Sequence, residues 1–210
     1  MIDLTAKPLI TEDDIRVVPA GVTIRIADRT LVTPLAADIA RERHIKIERV
    51  PATTSQPGQR HRRIAVGADH GGYEMKEALK AVLDEIGCDY QDFGTNSTEP
   101  VDYPDFAHAV ALAVARGSCD LGIMIDGAGI GSCMAANKVA GVRAAMCYDA
   151  ASARNSREHN GANVLTLGGK TISDEKMREI VRTWLSASLT EERHRRRVAK
   201  IDALLGGGSA

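Results

Sequence analysis

Between residues 63 and 167, five short strand-like segments alternate with segments of helical periodicity, and this alternation restricts the fold more than any other feature. We predict β-strands at residues 63–67, 89–93, 120–125, 142–147 and 163–167. The segments between them carry apolar residues on one helical face, as at Met75, Leu79, Val82 and Ile86. Strands that alternate with helices form a parallel sheet with helices on both faces. The sequence therefore predicts an α/β fold with a five-stranded parallel sheet, in a three-layer α/β/α, Rossmann-like sandwich.

The chain of 210 residues is long enough for one well-cored domain plus an appendage. We predict a small N-terminal module, a polar linker with Pro and Gly, the main domain and a short tail. These four parts cover residues 1–50, 51–61, 62–205 and 206–210. The module has strand patterns at residues 22–27 and 45–50 and helix signals near Thr11 and at residues 35–40. A module with so few elements has a marginal hydrophobic core, and we therefore expect it to dock on another surface.

Composition excludes several classes of function. A net charge of −1 and 3% aromatic residues give no support for nucleic-acid binding. No apolar run of about 18 residues is present, so we expect no membrane span. The N-terminus lacks a secretory pattern, and the cysteines have no paired metal spacing. We therefore expect a cytoplasmic protein with reduced thiols.

A glycine-rich loop at residues 126–131, the glycine loop, follows an apolar strand and leads into a helix. Asp126 opens it, and Gly127, Gly129 and Gly131 can bring backbone amides close to an anion. A carboxylate beside such amides suits proton abstraction next to a carbonyl, with the amides stabilising the oxyanion. The alternative is a tight structural turn with an acidic cap. The loop lacks the Lys-Ser/Thr ending of a P-loop and the G-x-G-x-x-G spacing of a dinucleotide site.

Other polar residues follow the predicted strands. Asp69 and His70 follow the first strand, and Lys170 follows the fifth. The carboxyl ends of parallel strands share one edge, so these residues can converge on Asp126. Tyr103 opens the helix after the second strand. Each has a simpler interpretation: Asp69 as a helix cap, His70 and Lys170 as loop residues, and Tyr103 as core packing.

A third set of polar residues lies on two later helices. His159 and Asn160 end the helix after the fourth strand. A histidine at the surface is also favourable there without any function, because a cation stabilises the C-terminal end of a helix. Arg193 and Arg197 are four residues apart and share one helix face. That face is either solvated or a phosphate clamp with two fork-shaped donors. Cys133 is a rival reactive group, although its place inside a helix favours a buried, inert thiol.

Together these motifs resemble the ribose-5-phosphate isomerase B family, which includes galactose-6-phosphate isomerase subunits and allose-phosphate isomerases. The resemblance runs from about residue 63 to residue 204. It rests on residues 67–72, 101–104, 127–131, 135–138, 141–144, 158–160 and 163–165, and on the arginine pair.

The resemblance implies aldose–ketose isomerisation of a phosphorylated sugar, without a metal or nucleotide cofactor. It implies that Asp69 and His159 open the sugar ring and that Tyr103 and Asn160 contact the substrate. It implies that His70, Arg193 and Arg197 bind the phosphate, and that the glycine loop stabilises a cis-enediolate. Lys170 is a further candidate for binding. Family members bind substrate between two subunits, so a homodimer or tetramer is expected.

The chain departs from the family pattern at position 126. Many members carry cysteine there as the base, and another branch uses glutamate at the position of Ser132. Asp126 can perform the same proton transfer, and Ala128 replaces the usual Thr or Ser. We predict Asp126 as the base and ribose 5-phosphate as the substrate. The alternatives are a different base, a hexose or deoxy-sugar phosphate, and a non-catalytic sugar-phosphate-binding or assembly protein.

The N-terminal module lies outside that family. Its residues 10–16 and 31–40 resemble segments on enzymes associated with bacterial microcompartments. This resemblance implies that residues 1–50 dock the enzyme to a shell or cargo protein inside such a compartment. The alternative is a stabilising arm that covers the dimer.

Overall fold

The computed structural model describes residues 2–5, 7–28, 30–50 and 62–204. The predicted linker at residues 51–61 and the predicted tail at residues 206–210 lie outside these residues. The chain divides into two compact units, Met1–Arg60 and His61–Ala210. Each unit has a hydrophobic core of its own.

The N-terminal unit combines short parallel strands with helices. Its elements are β1 (Ile2–Asp3), β2 (Leu9–Ile10), α1 (Glu12–Arg16), β3 (Thr23–Ala27), β4 (Leu31–Val32), α2 (Pro34–Glu42) and β5 (Lys46–Val50). One parallel sheet has the order β1-β3-β5, and β2 pairs with β4. Ile24 and Ile26 pack into the core with Ile10 and Ile15. The alternating segments correspond to β3 and β5, whereas the two-residue strands are too short to show a period.

The C-terminal unit is built on one parallel sheet. Its elements are β6 (Arg63–Ala68), α3 (Tyr73–Ile86), β7 (Asp89–Asp92), α4 (Tyr103–Ala115), β8 (Leu121–Asp126), α5 (Ile130–Ala136), β9 (Ala144–Met146), α6 (Ala150–Glu158), β10 (Val164–Gly168), α7 (Asp174–Ser186) and α8 (Glu192–Ala203). The strand order is β7-β6-β8-β10-β9, and every pair is parallel. The predicted five-stranded parallel sheet is confirmed.

One face of this sheet packs on α3 and α7. Ile123 and Leu165 from the strands meet Leu79 of α3 and Trp184 of α7 in one buried cluster. Trp184 is fully buried, and its Nε1 donates a hydrogen bond to Ser156 Oγ at 3.1 Å. A buried Trp keeps its apolar area out of water only when its N–H finds a partner, as here. This face therefore forms the main core of the unit.

The opposite face packs closely on α4. A Cβ atom at Gly67 would lie 2.7 Å from Val110 Cγ2, and one at Gly122 would lie 2.7 Å from Val110 Cγ1. These two strand glycines therefore let α4 approach the sheet backbone directly. The approach brings Tyr103, the first residue of α4, to the carboxyl edge of the sheet.

Helices α6 and α7 begin at polar caps. Ser173 Oγ accepts a hydrogen bond from Lys176 N at the start of α7, and Asp149 accepts one from Ser152 N at the start of α6.

In the described segments, no helix combines the length and apolarity needed to cross a membrane.

Strand β9 is shorter than predicted. The pattern predicts a strand at residues 142–147, but only Ala144–Met146 are paired. Arg143 N donates to the side-chain Oδ1 of Asn163 at 2.7 Å instead of to a neighbouring strand. A side-chain acceptor has therefore replaced the backbone acceptor that would extend the strand.

Candidate active site

The chain leaves β6 and β8, two adjacent strands, toward opposite faces of the sheet. Helix α3 follows β6 on the face of the main core, and α5 follows β8 and packs beside α4. Ligands of open α/β sheets bind in the crevice at such a switch point. Asp69 follows β6, and Asp126 is the last residue of β8. Both predicted carboxylates therefore flank this crevice.

The Asp126 carboxylate is 4% exposed and accepts hydrogen bonds from four donors. Its Oδ1 accepts from Ala128 N at 2.8 Å and from Gly129 N. Its Oδ2 accepts from Ser132 N at 2.9 Å and from Ser132 Oγ at 2.6 Å. The side chain predicted as a base is thus held rigidly by the loop that it opens. Sequence reasoning missed Ser132 as its partner.

The three loop glycines differ in what their amides do. The amide of Gly129 donates to Asp126. Among the described residues, the amides of Gly127 and Gly131 have no hydrogen-bond acceptor. Gly129 has a φ of 80° and its carbonyl accepts from Thr166 Oγ1 at 2.8 Å, which ties the loop to β10. The nest predicted for an oxyanion is therefore partly filled by Asp126, and Gly127 and Gly131 retain free donors.

Asp69 and His70 lie in the turn after β6. Asp69 is 7% exposed, and its Oδ1 accepts from Gly72 N at 2.9 Å. Because Gly72 is itself the N-cap of α3, this hydrogen bond closes the turn before the helix and does not cap the helix. The His70 ring lies beside the loop before α4, with Nδ1 3.2 Å from Val101 N and 3.3 Å from Val101 O. Nδ1 can accept from Val101 N or donate to Val101 O, depending on which ring nitrogen carries the proton. The turn after β6 contacts the glycine loop, because a Cβ atom at Gly71 would lie 3.3 Å from Gly127 N.

Tyr103 and Lys170 also contact the glycine loop. A Cβ atom at Gly131 would lie 2.6 Å from Tyr103 Cζ, so the ring packs on this glycine. Tyr103 remains 39% exposed, which is more than a core residue would be. Lys170 N donates to Gly127 O at 3.0 Å, and its side chain passes close to Gly127. We call Asp69, His70, Tyr103, the glycine loop and Lys170 the loop group.

The remaining predicted residues form a second, exposed set, which we call the helix group: His159, Asn160, Arg193 and Arg197. Asn155 Nδ2 lies 2.9 Å from His159 Nδ1, and Asn155 Oδ1 accepts from Asn160 Nδ2 at 3.3 Å. Because an amide nitrogen donates, Nδ1 of His159 accepts and Nε2 carries the proton. Arg193 Nε donates to Glu191 at 2.6 Å. Within the described part of the chain, no hydrogen bond or ion pair joins the two groups.

His194, between the two arginines, was missed by sequence reasoning. It is 4% exposed, and its ring stacks on His159 with centroids 4.3 Å apart and planes 13° apart. Among the residues that the structure describes, its Nε2 has no hydrogen-bond partner, and the nearest carboxylate oxygen, on Glu191, is 3.8 Å away. Burial, with His159 and Arg193 nearby, lowers the pKa of His194 below its usual value of 6.5. Its spacing of four from the buried Val198 is the signal that could have revealed it.

Metal binding has no ready-made ligand set here. Among the described residues, no group of three or more His, Cys, Asp or Glu side chains is arranged to hold a metal ion.

Comparison with known proteins identifies the family. The Ribose/Galactose Isomerase family model matches residues 64–201. Ribose-5-phosphate isomerase B of Escherichia coli (strain K12) is 46% identical over 143 residues, which is 68% of this chain and 96% of that protein. A D-erythrulose-4-phosphate isomerase of Pectobacterium atrosepticum is 40% identical over 126 residues, which is 59% of this chain and 82% of that protein.

A solved structure agrees with the sequence relatives. The structure of Clostridium thermocellum ribose-5-phosphate isomerase B is 47% identical, with a TM-score of 0.68, and the match covers 70% of this chain and 99% of that one. Residues 1–60 lie outside the family match. The match spans the sheet, the switch point and the arginine pair. The chain therefore belongs to the ribose/galactose isomerase family and is a sugar-phosphate isomerase.

Proposed function

We propose that this enzyme interconverts ribose 5-phosphate and ribulose 5-phosphate through a cis-enediolate. The observation that carries the proposal is the buried Asp126 carboxylate at the end of β8, at the switch point of the sheet. Relatives named ribose-5-phosphate isomerase B support the choice of a pentose phosphate. A fixed carboxylate next to free amides suits a proton transfer between two adjacent carbons.

In this proposal Asp126 takes the proton from C2 of the open-chain sugar and returns it to C1. The free amides of Gly127 and Gly131 stabilise the negative charge that develops on oxygen. Asp69 and His159 act earlier, on the ring form. Because Nε2 of His159 carries the proton, it can donate to the ring oxygen while Asp69 accepts from the C1 hydroxyl.

Phosphate recognition is assigned to His70, Arg193 and Arg197. Both arginines are exposed on α8, and fork-shaped guanidinium groups pair well with phosphate oxygens. Arg193 would exchange its contact with Glu191 for the phosphate. Lys170 and Tyr103 would line the sugar between the loop group and the arginines, with Asn160 on a substrate hydroxyl.

We propose that each active site combines the loop group of one subunit with the helix group of its partner. Large apolar side chains are exposed beside the loop group, at Ile130 (51%) and Met134 (64%) on α5. A second copy would cover them and bring its own helix group to the crevice. This assembly makes a homodimer the minimum active form, and a tetramer would contain two such pairs.

A different phosphosugar is the second candidate substrate. Asp126 and Ala128 stand where many family members have Cys and Thr or Ser, and a relative named for a four-carbon substrate is 40% identical. A hexose or deoxy-sugar phosphate therefore stays in the test set.

The deciding experiment measures conversion of ribose 5-phosphate by the wild-type enzyme and by Asp126→Asn. We expect the variant to lose roughly 10²- to 10⁴-fold in kcat, with a similar KM, because the amide cannot accept the proton. Wild-type turnover with an equally active variant would reject Asp126 as the base. Binding of ribose 5-phosphate without turnover by the wild type would move the other phosphosugars ahead.

For residues 1–50 we propose docking to a shell or cargo protein of a bacterial microcompartment. The support is the resemblance of this segment together with its separate core and its exposed apolar side chains, Val17 (83%) and Leu35 (51%). Deleting residues 1–55 should abolish co-purification with shell protein and leave turnover intact. Loss of turnover or of the dimer on deletion would favour the stabilising arm instead.

A further inference from the structure

The hydroxyl of Ser132 is the most tightly enclosed partner of Asp126. Ser132 is 0% exposed, and its Oγ donates to Asp126 Oδ2 at 2.6 Å. Hydrogen bonds of this length between a hydroxyl and a carboxylate are charge-assisted and about twice as strong as neutral ones. Ser132 therefore contributes substantially to holding Asp126 as an anion.

The four donors around Asp126 differ in one respect that matters for proton transfer. A carboxylate has about four lone-pair positions, and all four are occupied here. Three donors are backbone amides, which the loop holds in place through its tie to β10. The fourth is a hydroxyl, whose hydrogen can rotate about the Cβ–Oγ bond. Of these four donors, only the Ser132 hydroxyl can turn its hydrogen away without moving the backbone, and its Oγ then becomes an acceptor for a proton on Oδ2.

We propose that Ser132 is the positioning residue that makes Asp126 a reversible base, by donating to Oδ2 in the resting enzyme and accepting a hydrogen bond from Oδ2–H once Oδ2 carries the proton. The inference rests on the proposed function. The C2–H bond breaks and an O–H bond forms at Oδ2, while the C2–H electron pair becomes the C1–C2 double bond of the enediolate and the C1=O π pair moves to O1. The Oδ2–H bond then breaks and the C1–C2 double-bond pair forms a C1–H bond, while the O–H pair of the C2 hydroxyl becomes the C2=O bond and its proton passes to O1.

Other titratable groups face the same loop. They are Asp69 and His70 from the turn after β6, Tyr103 from α4, Cys133 from α5 and Lys170 after β10. Among the described residues, none of their side chains donates a hydrogen bond to the Asp126 carboxylate. Their influence is the same in wild type and in a Ser132 variant, so a comparison of the two isolates the hydroxyl.

The test is the pH dependence of kcat/KM for Ser132→Ala. Removing a donor from the charged form lets the carboxylate take up a proton at higher pH. The acidic limb of the pH profile of kcat/KM should therefore move to higher pH. We expect a move of about one pH unit, because a hydrogen bond to a charged group and one unit of pKa have similar free energies. A purely structural role would lower the rate at every pH without moving the limb.

Further variants make the result decisive. Ser132→Thr retains the hydroxyl and should restore the wild-type limb, and Ser132→Cys, nearly isosteric with a weaker donor, should give an intermediate shift. Cys133→Ala is the matched control, since its Sγ donates to Ala144 O and not to Asp126. If Ser132→Ala does not fold, the Ser132→Cys limb alone decides. An unmoved limb in an active, folded Ser132 variant overturns the inference, whereas an active Asp126→Asn overturns the proposed base itself.

Discussion

The loop group and the helix group differ in how the fold holds their functional atoms. Asp126 is 4% exposed and bound by four donors from its own loop. In the helix group, the Arg193 side chain is 61% exposed and its guanidinium is paired with Glu191. The fold therefore preorganises the proposed proton-transfer end of the site within one chain. The proposed phosphate end keeps groups that can still exchange their partners.

The largest expected effect tests the phosphate end. Replacing both Arg193 and Arg197 with Gln should raise KM for the phosphorylated sugar about 100-fold or more, because each charged hydrogen bond contributes about 1.5–3 kcal/mol. The value of kcat should change much less. Arg196→Gln, on the same exposed helix, is the matched control for charge. Equal KM values in the double variant and the control would remove the arginine pair from the site.

The next effect tests how firmly the loop is fixed. Gly129 and Gly141 have nearly the same φ, 80° and 81°, but a Cβ atom at Gly129 would lie 2.9 Å from Leu167 C, whereas one at Gly141 meets nothing within 4 Å. Gly141→Ala should lose about 1–2 kcal/mol of unfolding free energy from the left-handed backbone. Gly129→Ala should lose about 1–3 kcal/mol more from overpacking.

Urea unfolding of both glycine variants measures this difference. Gly129→Ala should also lose activity, since Gly129 N and its neighbours hold Asp126. Equal unfolding free energies for the two variants would mean that the glycine loop can shift to make room for a methyl group. The loop group would then be held less rigidly than the comparison with the helix group assumes.

The smallest effect concerns His194, the buried member beside the helix group. Its pKa is lowered below 6.5, so as pH falls through about 6.5 the unfolded chain binds a proton that the folded chain does not. Its contribution is therefore fully present above that pH and is lost as the solution becomes more acidic. His194→Phe keeps a ring against His159 but cannot titrate. Thermal unfolding from about pH 7.5 to 5.5 should show a smaller decrease in Tm for the variant, and parallel curves would reject this role.

Much of the fold follows from the sequence, because strand and helix periods are local. The five strands, their alternation with helices and the position of Asp126 at the end of β8 could be predicted from the spacing of apolar residues. The two-residue strands β1, β2 and β4 could not, because two residues carry no period. The early end of β9 depends on Asn163, which is 20 residues away from Arg143.

The candidate site was less accessible to sequence reasoning. Convergence of the loop group follows from strand order, and the structure brings its members into contact. Ser132, Asn155 and His194 were missed because their roles depend on which side chain faces a neighbour, and neither composition nor motif spacing encodes that. The catalytic and binding roles of the predicted residues stay predictions.

The glycine loop already has its own counter-ion. In many phosphate-binding loops, unpaired backbone amides bind an anion from solution. Here Asp126 supplies that negative charge internally, and three of the nearest amides are committed to it. Inorganic phosphate or sulfate should therefore compete poorly for this end of the crevice. Under the proposed function, this repulsion also orients the substrate: a sugar phosphate should enter with its carbonyl end toward the loop and its phosphate directed away.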